Sequence, residues 1–473
     1  MSKVQNTQSF DGFTDFNEVS AKQWKQKIQV DLKGADYNET LVWNSPEGIH
    51  VKPFYHQDDF KEDFQNIPGQ PKAWRIVQKI FVDNEEIANS IALDAIKRGA
   101  EAIVFKATKK FNLQALFNNF PFENIPIYFQ LNFLSKNFYT ELFTFFSTKN
   151  ATVFYNIDLL GNLAKTGNWY QNLNSDHEIL DTLLKVNLKE NIIGVDLSLY
   201  QNAGATVVQQ LAYAMAHVNE YLNHLFSQSA VSKTVEKDAI KEVKITFNLA
   251  VGSNYFFEIA KIRALRKLFA TLAKEYGINE TCHIIATPSK RNKTLYDYNV
   301  NLLRSTTECM SAILGGADAV CNMPYDEIFH KRNEFGDRIA RNQLLILKHE
   351  SYFNAVSNPA DGAYYIESLT DELAEKALQI FKDIEKGGGF LQLLKEGTIQ
   401  KKIKESADKE EQLFESGEVK LLGTNYHPNQ NDKIKNDLEL FPFVKRKPVK
   451  TIIAPIVEKR LAENVEQQRL SNE

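Results

Sequence analysis

From residue 74 onward, apolar runs of strand length alternate with longer stretches in which apolar residues recur three or four apart. That alternation marks parallel β/α units, because a strand repeats its side-chain direction every two residues and a surface helix every 3.6. Eight strands are predicted, at Trp74 to Val82, Ala102 to Ala107, Pro126 to Phe133, Ala151 to Leu159, Ile192 to Tyr200, Lys244 to Val251, Cys282 to Pro288 and Asp318 to Pro324. Helices predicted between them include Asn84 to Arg98, Asp176 to Lys189, Ala205 to Leu225, Tyr255 to Tyr276, Asn299 to Leu314 and Phe335 to His349. Eight units close a barrel, so the predicted fold class is α/β, a (β/α)8 TIM barrel with an N-terminal arm and a C-terminal tail of helix and loop. A doubly wound open sheet is the alternative the same pattern allows.

Several strands carry polar residues on one of their two faces, where a packed barrel interior is normally branched and apolar. Gln130 and Asn132 share a face, as do Asn156 with Asp158, Asp196 with Ser198, and Thr246 with Asn248. The opposite faces hold Ile127, Phe129, Val153, Tyr155, Ile193, Val195, Ile245 and Phe247. The apolar face must meet the helices, which leaves the polar face on the barrel axis. Buried polar groups there need partners: a satisfied internal network, water, or a ligand threaded along the axis. Phe105, Tyr128 and Phe154 are the aromatics able to plug such a lumen.

The barrel is assigned residues 71–390, the arm 1–70 and the tail 391–473. The arm holds Trp24, the turn signal Leu32-Lys33-Gly34, Glu47-Gly48-Ile49 and Pro53, too few strands for a domain of its own. The tail begins after Gly387-Gly388-Gly389 and carries a charged helical stretch, Leu394 to Phe414. Arm and tail are read as surface segments or as arms that wrap a partner chain.

Composition narrows the classes further. With 43% hydrophobic and 25% charged residues the 473-residue chain can bury a barrel-sized core, and the net charge of −4, with basic residues dispersed, gives no footprint for nucleic acid. No apolar run reaches the ~18 residues of a membrane span, and the first residues lack a signal-peptide pattern, so a cytoplasmic location is expected. Cys282, Cys309 and Cys321 are an odd, scattered set and read as reduced thiols. Spacing alone supplies no catalytic motif: there is no P-loop, no zinc spacing and no nucleophile elbow. His217 and His224, seven apart, read as a packed or solvated pair, and no metal site is expected. Gly315-Gly316-Ala317-Asp318 reads as a helix cap, and Glu367 as a surface residue or a carboxylate at the barrel rim.

Long ordered segments resemble the methylmalonyl-CoA mutase family: LLRSTTECMSAILGGADAV, FGDRIARNQLLIL, NPADGAYYIESLTDELAEKAL and EKGGGF between Asn301 and Phe390. LKGADY, EGIHVKPFY, Trp74-Arg75-Ile76 and FFEIAKIRALRKLFA extend the resemblance over nearly the whole chain. The resemblance implies a barrel that threads acyl-CoA along its axis, which places Gln78, Gln130, Asn132, Asn156, Asp196, Asn248 and Glu367 as lumen or ligand-facing positions. Two departures bear on activity. Catalytic members continue into a cobalamin domain marked by Asp-x-His-x-x-Gly, a motif this sequence lacks, and Arg460-Leu461-Ala462-Glu463 resembles the linker that precedes it. Catalytic members also resemble Trp-Thr-Ile-Arg-Gln-Tyr on the first strand and Tyr-His-x-x-Glu-Ala-Gly after the fifth. Here the tyrosine of the first motif is Lys79, its arginine is Val77, and the Tyr-His pair is Ser198-Leu199. Cys321 stands where catalytic chains carry histidine, and Thr287 to Lys290 replace Gln-Thr-Ser-Gly.

The resemblance with these departures implies a non-catalytic small chain in a heterodimer, stabilising a large subunit that carries adenosylcobalamin and interconverts methylmalonyl-CoA and succinyl-CoA. This chain is expected to bind no cobalamin itself. Other readings the residues allow are a CoA-binding or regulatory barrel, and an active barrel served by a separate cobalamin-binding protein.

Overall fold

The computed structural model describes residues 17–60, 64–186, 188–228, 240–444 and 449–473. Helices α1 (Ala21–Asp31) and α2 (Tyr37–Leu41) and a hairpin of β1 (Trp43–Asn44) and β2 (His50–Val51) come first. Strands β3 (Arg75–Phe81), β4 (Ala102–Ala107), β5 (Ile127–Leu131), β6 (Val153–Ile157), β7 (Asn191–Asp196), β8 (Ile245–Val251), β9 (His283–Pro288) and β10 (Ala319–Val320) then pair in sequence order. β10 returns to β3 and closes the barrel, which rules out the open sheet. The helices are α3 (Glu85–Lys97), α4 (Leu113–Leu116), α5 (Lys136–Ser147), α6 (Leu159–Thr166), α7 (Leu173–Val186), α8 (Ser198–Asn202), α9 (Val207–Asn223), α10 (Tyr255–Tyr276), α11 (Val300–Leu314), α12 (Glu334–His349) and α13 (Tyr364–Lys386). The tail adds α14 (Phe390–Glu396), α15 (Thr398–Glu415) and α16 (Glu463–Ser471).

Strand alternation sorts the side chains as the sequence requires. Ile127, Phe129, Val153, Tyr155, Ile193, Val195, Ile245 and Phe247 all join the core between barrel and helices, each at most 2% exposed. Burying a side chain of this size stabilises by about 1.5–3 kcal/mol, so this shell is the main source of stability. The inward residues at the amino end of the strands make a second, smaller cluster of Val77, Ala102, Val104, Tyr128, Phe154, Ile285, Ala319 and Cys321.

Several boundaries differ from expectation, three of them for a clear local reason. The fifth barrel strand stops at Asp196, because its carboxylate accepts the Ser198 backbone N–H at 3.0 Å and turns the chain into α8. The eighth is only two residues long, with Asp318 beside it taken up by Arg266 at 2.7 Å and by the Ile284 N–H. The charged stretch Leu394 to Phe414 is two helices, broken at Gly397, whose φ of 79° suits glycine.

Arm and tail both fasten onto this barrel. Glu47 accepts hydrogen bonds from Val207 N and Val208 N, both at 2.8 Å, and so satisfies orphan donors at the start of α9. The tail runs across the carboxyl end of the strands, its N–H groups at Ile456, Lys459 and Leu461 donating to the carbonyls of Ala164, Asn202 and Arg291. The three cysteines are buried free thiols. Among the described residues no helix is long and apolar enough to cross a membrane.

Candidate functional site

The barrel axis is divided. At its amino end Tyr128 stacks on Phe154 with centroids 4.4 Å apart, Phe154 lies 4.3 Å from His283, and Tyr128 Oη meets His283 Nε2 at 2.9 Å. These three rings plug the lumen, while Phe105 points outward into the helix layer. Burial pushes the His283 imidazole down to about 4, so at neutral pH it accepts the Tyr128 hydroxyl as a neutral ring.

Above the plug, at the carboxyl ends of the strands, lies a polar chamber of about 210 Å³. Lys79, Lys106, Gln130, Asn132, Asn156, Asp158, Asp196, Asn248, Lys290 and Cys321 line it, with Lys165, Glu327 and Glu458 arriving from helix and loops. The positions Gln130, Asn132, Asn156, Asp196 and Asn248 are thus brought together as the alternation predicts, together with Lys79, Ser198, Leu199 and Cys321.

Two expected residues lie elsewhere. Gln78 is 180° out of phase with Lys79 on β3; it faces outward and accepts from Arg341 Nη1 at 3.1 Å. Glu367 is not at the rim: it is 4% exposed in α13, holds Arg263 Nη2 at 2.5 Å and accepts the Gly362 N–H. His217 and His224 do not act together, since His217 bridges Asp158 and Tyr200 while His224 meets Asp181. No group of three or more potential metal ligands occurs among the described residues.

The chamber's chemistry follows from its partners. Asp158 caps α6 through Gly161 N and also accepts from His217 Nε2 and Tyr221 Oη, both at 2.9 Å; burial opposes its charge, but these contacts hold it below the usual carboxylate range. Asp196 is raised by burial, and Ser198 Oγ donates to it at 2.5 Å, which commits that hydroxyl's proton. Leu199 offers no donor. Lys79 and Lys290 share Glu327, at 4.0 and 3.3 Å, and Lys165 meets Glu458 at 3.7 Å. Burial opposes ionisation of Glu327, but the ammoniums of Lys79 and Lys290 hold it well below the ordinary range. Cys321 is raised by burial and stays a thiol.

Several groups are left without protein partners. The side chains of Gln130, Asn132 and Asn248 make no hydrogen bond among the described residues, and Asn156 Oδ1 and Thr246 Oγ1 are buried acceptors without a donor. Asn156 is held there by a bulge in β6, at φ 49°, so close to β7 that a Cβ on Gly194 would sit 2.9 Å from its Cα. Lys106 has no carboxylate partner, and burial together with Lys79, Lys290 and Lys165 pushes its ammonium down to about 8.

An unpaired, desolvated ammonium opposes folding, so Lys106→Met is expected to raise the thermal midpoint at pH 7. The folded-state value lies below the unfolded one, so the gain should be full below pH 8 and fade as pH rises toward 10. Melting curves of both proteins at pH 7 and 9.5 check this; a lowered midpoint at pH 7 would mean that Lys106 is paired.

Alternation on β4 could have exposed Lys106, a cation in the inward phase of an apolar run. Glu327 and Glu458 come from loops distant in sequence and left no signal.

A closed parallel barrel with a polar chamber at the carboxyl ends of its strands defines a (β/α)8 protein of the ligand-chamber kind. The family model for methylmalonyl-CoA mutase matches residues 106–469, and the chain belongs to that family. It is 33% identical over 451 residues to the methylmalonyl-CoA mutase small subunit of Porphyromonas gingivalis, covering 88% of this chain and 71% of that one. It is 27% identical to the methylmalonyl-CoA mutase of Rhizobium meliloti, over 88% of this chain and 65% of the relative. The methylmalonyl-CoA mutase small subunit of Streptomyces virginiae is 26% identical, over 82% of this chain and 67% of its own length. This chain therefore spans just under two thirds of the Rhizobium relative.

Proposed function

We propose that this chain is the small, non-catalytic subunit of a two-chain adenosylcobalamin-dependent methylmalonyl-CoA mutase, and that it acts by stabilising a large catalytic subunit. The observation that carries this reading is that Lys79, Ser198 and Leu199, at the positions where the resemblance puts the reacting groups, present no free donor to the chamber. Radical rearrangement of a thioester needs fixed donors in a water-excluded pocket. Here Ser198 Oγ is committed to Asp196, Leu199 is apolar and Lys79 is drawn to Glu327. The plug of Tyr128, Phe154 and His283 also leaves no path for a pantetheine chain along the axis.

The lining residues do not fit cobalamin either. Glu458 and the tail lie across the mouth, on the side that a corrin ring would have to occupy. In this reading the cofactor belongs to the partner, and no step is routed through this chain. The relatives named as small subunits support a large-subunit partner.

Purified alone with adenosylcobalamin and methylmalonyl-CoA, the chain is expected to give no detectable succinyl-CoA. Mixed with a large subunit it should raise that subunit's thermal midpoint, as any partner binding only the folded state does. Turnover by the single chain at a rate near that of the pair, or a partner melting point unmoved by mixing, would overturn the proposal.

A further inference from the structure

We propose that the chamber at the carboxyl end of the barrel binds a small carboxylate anion, held by the Lys106 ammonium and by the free carboxamides of Asn156 and Asn248. This stands on the chamber alone and holds whether or not the chain works with a partner.

The first argument is charge. Four ammoniums face the space: Lys106 from β4, Lys79 from β3, Lys165 from α6 and Lys290 from the loop after β9. Four carboxylates face it too, but none lies within ion-pair distance of Lys106. Glu327 is shared by Lys79 and Lys290, Glu458 meets Lys165, Asp158 is engaged by His217 and Tyr221, and Asp196 is turned to Ser198. Lys106 is the cation left over, and an anion is the group that would complete it. Water can hydrate an ammonium but cannot neutralise it, so an occupant carrying charge gains more in this place.

The second argument is the set of unused hydrogen-bonding groups. Asn156 and Asn248 line the space with no side-chain hydrogen bond to the protein, beside the exposed Gln130 and Asn132, and Asn156, whose Oδ1 is the buried unpaired atom, is kept there by a left-handed backbone conformation that costs free energy. Strained backbone and unsatisfied polar atoms persist where function holds them.

Donor type then selects the class. The chamber, of about 210 Å³, opens at the carboxyl end, and the aromatic floor blocks passage to the amino end. Phosphate prefers guanidinium forks or helix N-termini. No arginine lines the chamber, and the amides at the starts of α6 and α8 are already taken by Asp158 and Asp196. Ammonium and carboxamide N–H remain, a pair suited to the two oxygens of a carboxylate.

Calorimetric titration of the full chain with acetate, malonate and succinate tests this at pH 8, in two buffers of different ionisation enthalpy. Inorganic phosphate and CoA are separate arms. The expected result is saturable binding of one equivalent of a carboxylate with net proton uptake, because an anion beside Lys106 restores its proton. Lys106→Met should weaken binding at least about tenfold and remove the proton uptake, whereas Lys165→Met, at the mouth, should change affinity by less than about threefold. Absence of saturable heat up to about 10 mM, unchanged affinity in Lys106→Met, or tighter binding of phosphate or CoA overturns the inference. Should Lys106→Met fail to fold, binding by the unaltered chain without proton uptake overturns it equally.

Discussion

Replacing Lys293 by methionine is expected to cost about 3–5 kcal/mol of stability, among the largest effects of any single change in the chain. Lys293 and Glu308 form an ion pair in which neither residue is more than 2% exposed. The ammonium donates to both Glu308 oxygens, at 2.9 and 2.7 Å, and to Asn292 Oδ1 at 2.8 Å, while Asn292 Nδ2 donates to Glu308. Without the lysine, Glu308 keeps one carboxamide donor and only the more distant Arg304 as countercharge, and a buried carboxylate without a direct partner is far costlier than a paired one.

Burial already raises the Glu308 carboxyl against the pull of Lys293, and removing Lys293 raises it further. A carboxyl whose folded-state value lies above the unfolded one takes up a proton on folding. The deficit of Lys293→Met should thus be small below about pH 4.3 and grow as pH rises through the folded-state value. Urea midpoints of the two proteins at pH 5 and pH 8 measure this, with the double variant Lys293→Met, Glu308→Leu as control, since replacing both partners by apolar groups is often neutral. A loss under about 1 kcal/mol, or one independent of pH, would show that the pair contributes nothing beyond packing.

Phe154→Ala should cost a similar amount, about 3–5 kcal/mol, because the ring is 5% exposed, stacks on Tyr128 and packs against His283. It should also open the chamber to the amino end of the barrel and rehydrate His283. In the intact protein that imidazole sits near 4, below its unfolded value, so folding sheds a proton between about pH 4 and 6.5 and stability falls as pH drops through that window. In Phe154→Ala this acid sensitivity should shrink, and the His283 ring resonances should titrate closer to pH 6.5 by NMR. An unmoved His283 titration would mean that Tyr128 alone excludes water from the plug.

The barrel strands were legible because two signals coincide in them, an apolar run and a period of two. That is why Ile245–Val251 and His283–Pro288 are found where the pattern puts them. After Asp196 the same alternation continues through Ser198, but a side-chain-to-backbone bond turns the chain into a helix there, and apolar pattern carries no record of such a bond. Gln78 and Lys79 could not both face the axis, being adjacent on one strand; the phase set by Lys79 already sends Gln78 to Arg341. Glu367 was harder to read, since its partner Arg263 lies 104 residues away.

By itself the sequence determined the (β/α)8 barrel and the polar carboxyl end of its lumen, because both follow from which way neighbouring side chains point along a strand. The plug, the buried ion pairs and the unpaired Lys106 were decided only by tertiary structure. Tyr128 and His283 are 155 residues apart, and Lys106, Lys165, Lys290 and Glu327 come from four different segments. Alternation is a property of adjacent residues, whereas charge pairing depends on which strands the closing of the barrel sets side by side.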